Sequence, residues 1–324
     1  MKNKSSFYQP LVSIPLLTYN GEKYLEEQLE SILNQTYKNI EVIVFDDCST
    51  DDTKKILQKY KESHNLKYVI NEKNIGLREN ALKSFHQCSG EYIAPSDQDD
   101  IWKLDKIEKL VNNIGKHSLI YTDSIPIDSN GHKLDEFYFG HFSKLIEGSN
   151  NKSFFFGNCI SAHAMMFHKS LLTYIFTIPK EMYFHDWWIA FIAATRGSIK
   201  LLDEPLVYYR RHQTQITKDK DKNYNIFTRI KFREKRILQK KQDIIQLLNA
   251  FKGFKYINDK DRNLLDKLIY NIEMFQNTYK NDRLKKLLHE HKTDLFEMSL
   301  QKNIDKIINK FSKGIWYYRM KFYT

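Results

Sequence analysis

Short apolar runs alternate with amphipathic segments through the first hundred residues of the chain. The runs typical of buried strands lie at residues 11–18, 40–45, 67–70 and 91–95. Segments with the period of an amphipathic helix separate them, and the connections between the two kinds of segment are short. This alternation predicts right-handed βαβ units and therefore an α/β, Rossmann-like fold, with a mostly parallel central sheet flanked by helices.

The amphipathic segments give the bounds of the expected helices. The first helix follows the first strand and places on one face Tyr24, Leu25, Gln28, Leu29, Ile32 and Leu33. The second is expected to end near Tyr60, with Ser49 or Thr50 as its N-cap. The third is expected to end near Cys88, and the fourth to begin near Trp102.

Polar side chains follow each of the predicted strands. They are Thr18, Tyr19 and Asn20 after the first, Asp46 and Asp47 after the second, Asn74 and Arg78 after the third, and Asp97 and Asp99 after the fourth. Because open α/β sheets bind ligands at the carboxyl ends of their strands, we expect these side chains to converge on one site. The sequence holds neither a Gly-x-Gly-x-x-Gly fingerprint nor a P-loop, which argues against dinucleotide and P-loop chemistry.

The segment Ser96–Asp100, which we call the acidic turn, places three carboxylates on one short connection. Carboxylates this close repel one another and are best tolerated around a hard divalent cation, which in turn suits a substrate diphosphate. The alternative is a solvated acidic turn that caps the following helix. The turn alone does not decide between them.

The last hundred residues differ in charge from the rest. Residues 218–324 hold 26 Lys and Arg against 13 Asp and Glu, a net charge of +13, whereas the remainder carries −2. Helices are expected at about 224–251, 259–279, 281–299 and 302–313. We therefore expect two domains, a catalytic domain at 1–218 and a basic α-helical region at 219–324.

The final segment, residues 303–324, interleaves lysines with aromatic and aliphatic side chains. This composition suits peripheral contact with an anionic membrane surface. The alternative, which is compatible with it, is a helical region that packs on the catalytic core while its lysines stay solvated.

Composition narrows the setting of the protein. The three cysteines, Cys48, Cys88 and Cys159, are odd in number and show no Cys-x-x-Cys spacing, so we expect a reducing compartment and no disulfides. The first apolar run is too short, and too broken by Pro15, for a signal peptide, and no run reaches the ~18 residues of a membrane span. We expect a cytoplasmic protein, peripheral at most on the inner face of the plasma membrane.

Several motifs in order resemble the family 2 glycosyltransferases, which are inverting enzymes of the GT-A fold that use nucleotide-sugar donors. They are VSIPLLTYNGEKYL at 12–25, SILNQTY at 31–37, DDCSTDDT at 46–53 and SDQDDIW at 96–102. Three later motifs, HDWW at 185–188, LDEP at 202–205 and YRRH at 209–212, are similar to the rhamnosyltransferase-like branch that builds bacterial surface polysaccharides. The resemblance covers residues 10–218.

The resemblance implies roles for the residues at the nucleotide end of the site. Tyr19, between Thr18 and Asn20, would stack on the nucleobase, and Asp47 would accept its ring N–H; the alternatives are a turn tyrosine and a helix-capping aspartate. Arg78 would approach the base or the phosphates. Within the acidic turn, the family's Asp-x-Asp motif corresponds to Asp97, Gln98 and Asp99, which touch the ribose and the metal.

The resemblance also implies the metal, the base and the acceptor side. Asp99, Asp97 and His212 would bind Mn²⁺ or Mg²⁺, and Asp186 would take the proton from the acceptor hydroxyl. The acceptor side would hold Asn158, His163 and Trp187, although Ala162 stands where relatives have Gly. His185 stands where many relatives carry Glu, and Arg210 or Arg211 would steady the diphosphate.

Taken together, the resemblance implies a hexosyltransferase-type enzyme that moves a sugar from a UDP- or dTDP-sugar to a glycan or lipid-linked acceptor. Rhamnose is the first expectation for the sugar, and another hexose or an N-acetylhexosamine is the alternative. A nucleotidyltransferase is less expected because no Gly-rich phosphate loop follows the first strand. The acidic residues argue against an inactive scaffold, and no nucleic-acid-binding motif accompanies the basic tail.

Overall fold

The computed structural model describes residues 8–134, 144–180, 182, 184–212, 226–274, 281–299 and 304–312. In this part of the chain one mixed sheet has the order β3-β2-β1-β4-β8-β7-β9-β6, with β5 beside β1. Its strands are β1 Val12–Thr18, β2 Ile40–Asp46, β3 Lys67–Ile70, β4 Tyr92–Ile93, β5 Ser96–Asp97, β6 Ile101–Trp102, β7 Leu119–Ile127, β8 Met165–His168 and β9 Ile199–Arg210.

The sheet is mostly parallel, as the sequence predicts. Strands β6 and β8 run against the other described strands. Strand β1 pairs with β2 so that Thr18 lies beside Asp46, and with β5 so that Leu17 lies beside Asp97. The carboxyl end of β1 therefore separates the second strand's loop from the acidic turn, which brings both to one edge.

Eleven α-helices lie in the described ranges. Those of the first part are α1 Leu25–Leu33, α2 Thr53–His64, α3 Leu77–His86, α4 Lys106–Ile114, α5 Leu172–Ile175 and α6 His185–Arg196. Those of the last part are α7 Ile226–Gly253, α8 Asp259–Glu273, α9 Asp282–Glu290, α10 Lys292–Leu295 and α11 Ile304–Phe311. Two 3-10 helices also bear on the site, at Asn151–Phe155 and Ala162–Ala164.

Two expectations about helix starts were wrong. The fourth helix begins at Lys106 rather than near Trp102, because Trp102 pairs with β9 in an antiparallel bridge. The N-cap of α2 is Asp52 rather than Ser49 or Thr50, because the Ser49 hydroxyl is hydrogen-bonded to the carboxylate of Asp46 instead. The acidic turn is thus followed by a strand before the helix begins.

Hydrophobic side chains pack on both faces of the sheet, which explains the nearly unbroken apolar sequence of β1. Val12, Ile14 and Leu16 lie in one cluster, with side chains of α1, α2 and α4. Leu17 lies in the other, with side chains of α3, α6 and the C-terminal helices. The helix that carries Asp186 is therefore fixed between the sheet and the C-terminal region.

The described C-terminal helices pack on the core. This agrees with the alternative interpretation of the basic tail, a helical region that packs on the catalytic core. Phe251 lies 4.3 Å from Phe191 between ring centroids, and Phe311 lies 5.3 Å from Phe156. In the segment 303–324, Ile308 and Phe311 are buried against the protein, while residues 313–324 lie outside the described residues, as does the expected boundary at 218. None of the described helices is long and apolar enough to cross a membrane.

Candidate active site

A side-chain clamp joins the acidic turn to the end of β1. Gln98 Oε1 accepts hydrogen bonds from Thr18 Oγ1 at 2.6 Å and from the Tyr19 N–H at 2.8 Å, and its Nε2 donates to the Tyr19 carbonyl at 3.1 Å. A Cβ at Gly21 would lie only 2.4 Å from Gln98 Oε1. A side chain at Gly21 would therefore displace the amide of Gln98 from its hydrogen bonds. Tyr19 is exposed at the edge of the site.

A carboxylate–imidazole cluster lies directly beneath the turn. His163 Nδ1 is 3.5 Å from Asp100 Oδ2 and 3.8 Å from Asp97 Oδ2. The candidate ligand atoms of Asp97, Asp100 and His163 all lie within 4.8 Å of one another. Asp100 and His163 are buried, whereas Asp97 is partly exposed and so faces the side from which a ligand would enter.

The pKa values within this cluster follow from burial and mutual charge. Burial, together with the charges of Asp99 and Asp97, raises the pKa of Asp100 to about 7. Burial opposes ionisation of Asp97 as well, but the hydrogen bond and charge of His163 outweigh it and lower the pKa of Asp97. Burial alone would lower the pKa of His163, yet the carboxylates of Asp100 and Asp97 raise it.

Asp99 faces a different partner from the other two acids of the turn. Its Oδ2 lies 2.7 Å from His212 Nε2, and the His212 ring packs 5.0 Å from that of Tyr24. The residues expected to bind metal therefore form two adjacent groups, Asp99 with His212 and Asp97 with the Asp100–His163 pair. Their assignment as ligands stays a prediction.

These residues fit a divalent cation. The Oδ2 atom of Asp100 is buried and has no hydrogen-bond partner within the described ranges. The ring of His163, 3.5 Å away, is the nearest partner of this oxygen, and a buried carboxylate oxygen that lacks a hydrogen bond and lies beside a second carboxylate is costly unless positive charge lies close to it. Carboxylate oxygens are also ligands that Mn²⁺ and Mg²⁺ prefer. The cluster could thus hold such an ion with Asp97, Asp100 and His163 as its candidate ligands.

Two buried basic side chains, Lys106 and Arg210, lie beside the acidic turn and its cluster. Lys106 Nζ donates to the His163 carbonyl at 2.6 Å and lies 3.2 Å from the centre of the Trp102 ring, and burial lowers its pKa well below the ordinary value. Arg210 Nε donates to the Asp99 carbonyl at 2.9 Å, and the backbone N–H of Arg210 donates to Asp100 Oδ1 at 3.2 Å. Arg210 therefore supports the acidic turn, and the diphosphate contact expected of Arg210 or Arg211 stays a prediction.

Asp47 holds the loop after β2 against the start of α3. Asp47 accepts from the N–H groups of Ile75 and Gly76, each at 2.8 Å, and from Asn71 Nδ2 at 2.9 Å. It thereby fixes the start of α3. The Asn20 Oδ1 atom accepts from the Thr50 N–H at 2.8 Å, which ties the two loops together. The nucleobase contact expected of Asp47 stays a prediction.

Arg78 is turned toward another loop. Its Nη1 donates to the Pro179 carbonyl at 2.8 Å, and its Nη2 is paired with Glu79. It therefore links α3 to the segment that leads into α6, and its contact with base or phosphate likewise stays a prediction.

The residues of the HDWW motif open helix α6. Asp186 lies in the first turn, is buried, and accepts from the Trp187 N–H at 2.6 Å. His185 beside it is buried with no hydrogen-bond partner for either ring nitrogen among the described residues, and burial lowers its pKa despite the charges of Asp186 and Asp97.

The three residues expected on the acceptor side do not lie together in the structure. Asn158 bonds within its own loop, through Nδ2 to the Ile160 carbonyl at 2.8 Å, and Trp187 Nε1 donates to the Phe154 carbonyl at 2.8 Å. His163 lies instead beneath the acidic turn, stacked 5.0 Å from Tyr209. Sequence reasoning missed His163 as a partner of the carboxylates, and missed Lys106 altogether.

Known proteins are similar to this chain in sequence. The family described as Glycosyl transferase family 2 matches residues 13–174. An uncharacterized glycosyltransferase of Haemophilus influenzae is 30% identical over 326 residues, 94% of this chain and 98% of its own length. The dTDP-rhamnosyl transferase RfbG of Shigella flexneri is 25% identical over 76% of this chain and 87% of its own length.

Two solved structures are similar in fold. One is TarS 1–349 of S. aureus in complex with UDP-GlcNAc, with a TM-score of 0.58 and 18% identity over 96% of this chain and 92% of that one. The other is the mannosyltransferase PcManGT of Pyrobaculum calidifontis in complex with GDP-Man and Mn²⁺, with a TM-score of 0.55 and 17% identity over 97% and 83%. At these identities the similarity concerns the fold.

Proposed function

The chain belongs to glycosyl transferase family 2, and from that premise we propose that it is an inverting enzyme of polysaccharide synthesis that transfers a sugar from a nucleotide-sugar to a hydroxyl group. The observation that carries this proposal is the junction at the sheet edge. The Gln98 clamp joins the end of β1 to the acidic turn, above the cluster of Asp97, Asp100 and His163. A nucleoside diphosphate could reach both loops at once, with the base at Tyr19 and Asp47 and the phosphates at Asp97 and Asp99.

The chemical step needs a base on the acceptor side. We assign Asp186 this role: its carboxylate takes the proton of the acceptor hydroxyl as the hydroxyl oxygen attacks the anomeric carbon and the nucleoside diphosphate departs. The hydrogen bond from the Trp187 N–H fixes the orientation of the carboxylate. A Mn²⁺ or Mg²⁺ ion, when bound by residues of the acidic turn, His163 and His212, would neutralise the charge of the departing diphosphate.

The donor is proposed to be a UDP- or dTDP-sugar. Rhamnose as its sugar is favoured by the YRRH, HDWW and LDEP motifs and by the 25% identity to a dTDP-rhamnosyl transferase. An N-acetylhexosamine from UDP is the second candidate, since the similar TarS structure contains UDP-GlcNAc. The acceptor is proposed to be a glycan or a lipid-linked glycan.

We further propose that the enzyme is cytoplasmic, with residues 1–218 as its catalytic domain, and touches the inner face of the plasma membrane through 303–324. The net charge of +13 over residues 218–324 supports this. Because Ile308 and Phe311 are buried in the fold, the contact would fall on the lysines and on the residues beyond Ser312. A chain ending at Ser312 should sediment less with anionic liposomes than the full chain; equal sedimentation would contradict the proposal.

The reaction can be tested by nucleoside-diphosphate release from a panel of UDP-, dTDP- and GDP-sugars, with and without Mn²⁺. Metal-dependent release from one donor by the wild type, and none by Asp186→Asn, would support the assignment. If neither release nor metal-dependent nucleotide binding occurs with any donor, the enzyme proposal fails.

A further inference from the structure

Tyr24 is the N-cap residue of α1, and its side chain is buried against the end of β9. The guanidinium carbon of Arg210, the last residue of β9, lies 4.6 Å from the centre of the Tyr24 ring. The ring of His212, two residues further along the chain, lies 5.0 Å from the Tyr24 ring between centroids, at an interplanar angle of 47°. One aromatic side chain of α1 therefore contacts two residues of the YRRH motif.

Arg210 is held in place by contacts other than the one with Tyr24. Its Nη2 pairs with Glu27 of α1, and its Nε donates to the Asp99 carbonyl at 2.9 Å. Its backbone N–H donates to Asp100 Oδ1, and its side chain is almost fully buried. We therefore expect Arg210 to keep its position when the Tyr24 ring is removed.

His212 depends more strongly on Tyr24, because it lies beyond the last residue of β9 and strand pairing does not hold it. Its Nε2 lies 2.7 Å from Asp99 Oδ2, which fixes one point of the imidazole, and the Tyr24 ring restricts rotation about that point. An imidazole that binds a metal must be held in one orientation, and the groups packed around it supply that orientation. Tyr24 lies where such a group is needed.

Tyr24 is also close in sequence to the loop at the nucleotide end of the site. Tyr19 in that loop is exposed, and its N–H donates to Gln98 of the acidic turn at 2.8 Å. The segment 19–24 therefore contacts the acidic turn at one end and His212 at the other.

We propose that Tyr24 is a positioning residue for the metal, which acts through His212 by holding its imidazole ring beside Asp99. The inference rests on the proposed function, since it takes His212 to be a ligand of Mn²⁺ or Mg²⁺. Removal of the Tyr24 ring should weaken metal binding by about three- to tenfold, the range that one aromatic contact supplies. Binding of nucleotide in the absence of metal should not change.

The test is a titration of Mn²⁺ into the full-length protein with UDP and, separately, with dTDP, followed by the EPR signal of free Mn²⁺. Tyr24→Leu removes the ring and Tyr24→Phe keeps it. Tyr60→Leu is the matched control, because Tyr60 is also buried and contacts α1 through the hydrogen bond of its hydroxyl to Glu30 at 2.6 Å. We expect weaker Mn²⁺ binding in Tyr24→Leu, and wild-type affinity in Tyr24→Phe and Tyr60→Leu.

A double-mutant cycle shows whether Tyr24 acts through His212. Asp97, Asp100 and His163 remain as candidate ligands in His212→Ala, and in this background Tyr24→Leu should weaken Mn²⁺ binding no further. A further loss of the same size overturns the inference, because Tyr24 would then act through another group. If His212→Ala binds no Mn²⁺, the contrast between Tyr24→Leu and Tyr24→Phe decides.

Three other results overturn the inference: wild-type Mn²⁺ affinity in Tyr24→Leu, equal weakening in Tyr60→Leu, and an equal loss of nucleotide affinity without metal. Each of them leaves the proposed function standing if the wild type binds Mn²⁺ and nucleotide. Absence of Mn²⁺ binding in the wild type with either nucleotide would instead defeat the metal site of the proposed function, and the inference with it.

Discussion

Replacing Asp100 with asparagine should stabilise the metal-free protein at alkaline pH. Asp100 is buried, and its pKa is raised from the ordinary 3.8 to about 7. At pH values below its pKa in the unfolded chain, such an acid is protonated in both states and does not destabilise the folded protein. As pH rises from about 4 to about 7, the acid ionises more readily in the unfolded chain, and the folded protein loses stability. The raised pKa of His163 acts in the same direction, because its stabilising contribution is also lost as pH rises.

The size of the effect follows from the shift. About three pH units at about 1.4 kcal/mol each give an upper limit of about 4 kcal/mol at pH values above 7. Asparagine fits the site, because its Oδ1 can keep the hydrogen bond from the backbone N–H of Arg210 and its Nδ2 takes the place of Oδ2, which accepts no hydrogen bond from the described residues. The Asp100→Asn variant should therefore gain stability at high pH and little at low pH.

The assay is urea unfolding in EDTA at about pH 5 and about pH 8, followed by tryptophan fluorescence. Asp105→Asn is the matched control, because the pKa of Asp105 is lowered by its hydrogen bond to Lys109 and its contribution changes only at lower pH. A destabilising role of ionised Asp100 is excluded if Asp100→Asn is no more stable than the wild type at the higher pH, or if the two proteins lose stability in parallel as pH rises.

Three further variants test the site. Asp186→Asn should abolish sugar transfer while nucleotide affinity stays nearly intact; near-normal turnover would disprove the base assignment. Asp99→Ala should remove activity together with its dependence on Mn²⁺, and metal-stimulated turnover in this variant would exclude Asp99 as a ligand. Gly21→Ala should break the three hydrogen bonds of Gln98 and cost about 2–4 kcal/mol of unfolding free energy; Gly253→Ala, with no atom within 4 Å of the added carbon, should cost far less.

The sequence predicted correctly those parts of the structure that depend on the local pattern of residues. The parallel strands, the loops at their carboxyl ends and the acidic turn could all be read from short segments of the chain. The start of α4 could not, because the pairing of Trp102 with β9 depends on a strand about a hundred residues away. Local propensity favoured a helix there, and tertiary pairing overrode it.

The positions of His163 and Lys106 beneath the acidic turn were not predictable either, because they too depend on contacts between distant parts of the chain. His163 reaches Asp100 only because the 3-10 helix Ala162–Ala164 precedes β8, which pairs with both β4 and β7. Lys106 looked like one more solvated lysine at the start of an amphipathic helix, yet it is fully buried against Trp102. Arg210 belongs to the YRRH motif, and its hydrogen bonds to the Asp99 carbonyl and to Asp100, which support the acidic turn, could not be predicted from that motif.

We propose above that the acidic turn, with the cluster of Asp97, Asp100 and His163, forms a metal-dependent site for a nucleoside diphosphate. It is tested most directly by calorimetric titration of UDP and dTDP into the wild type and Asp97→Asn, with and without Mn²⁺. We expect Mn²⁺ to tighten nucleotide binding by about tenfold or more in the wild type, and nucleotide to tighten Mn²⁺ binding by the same factor. The Asp97→Asn variant should lose this coupling. Nucleotide binding that is equally tight without Mn²⁺, or coupling that survives in Asp97→Asn, would contradict it.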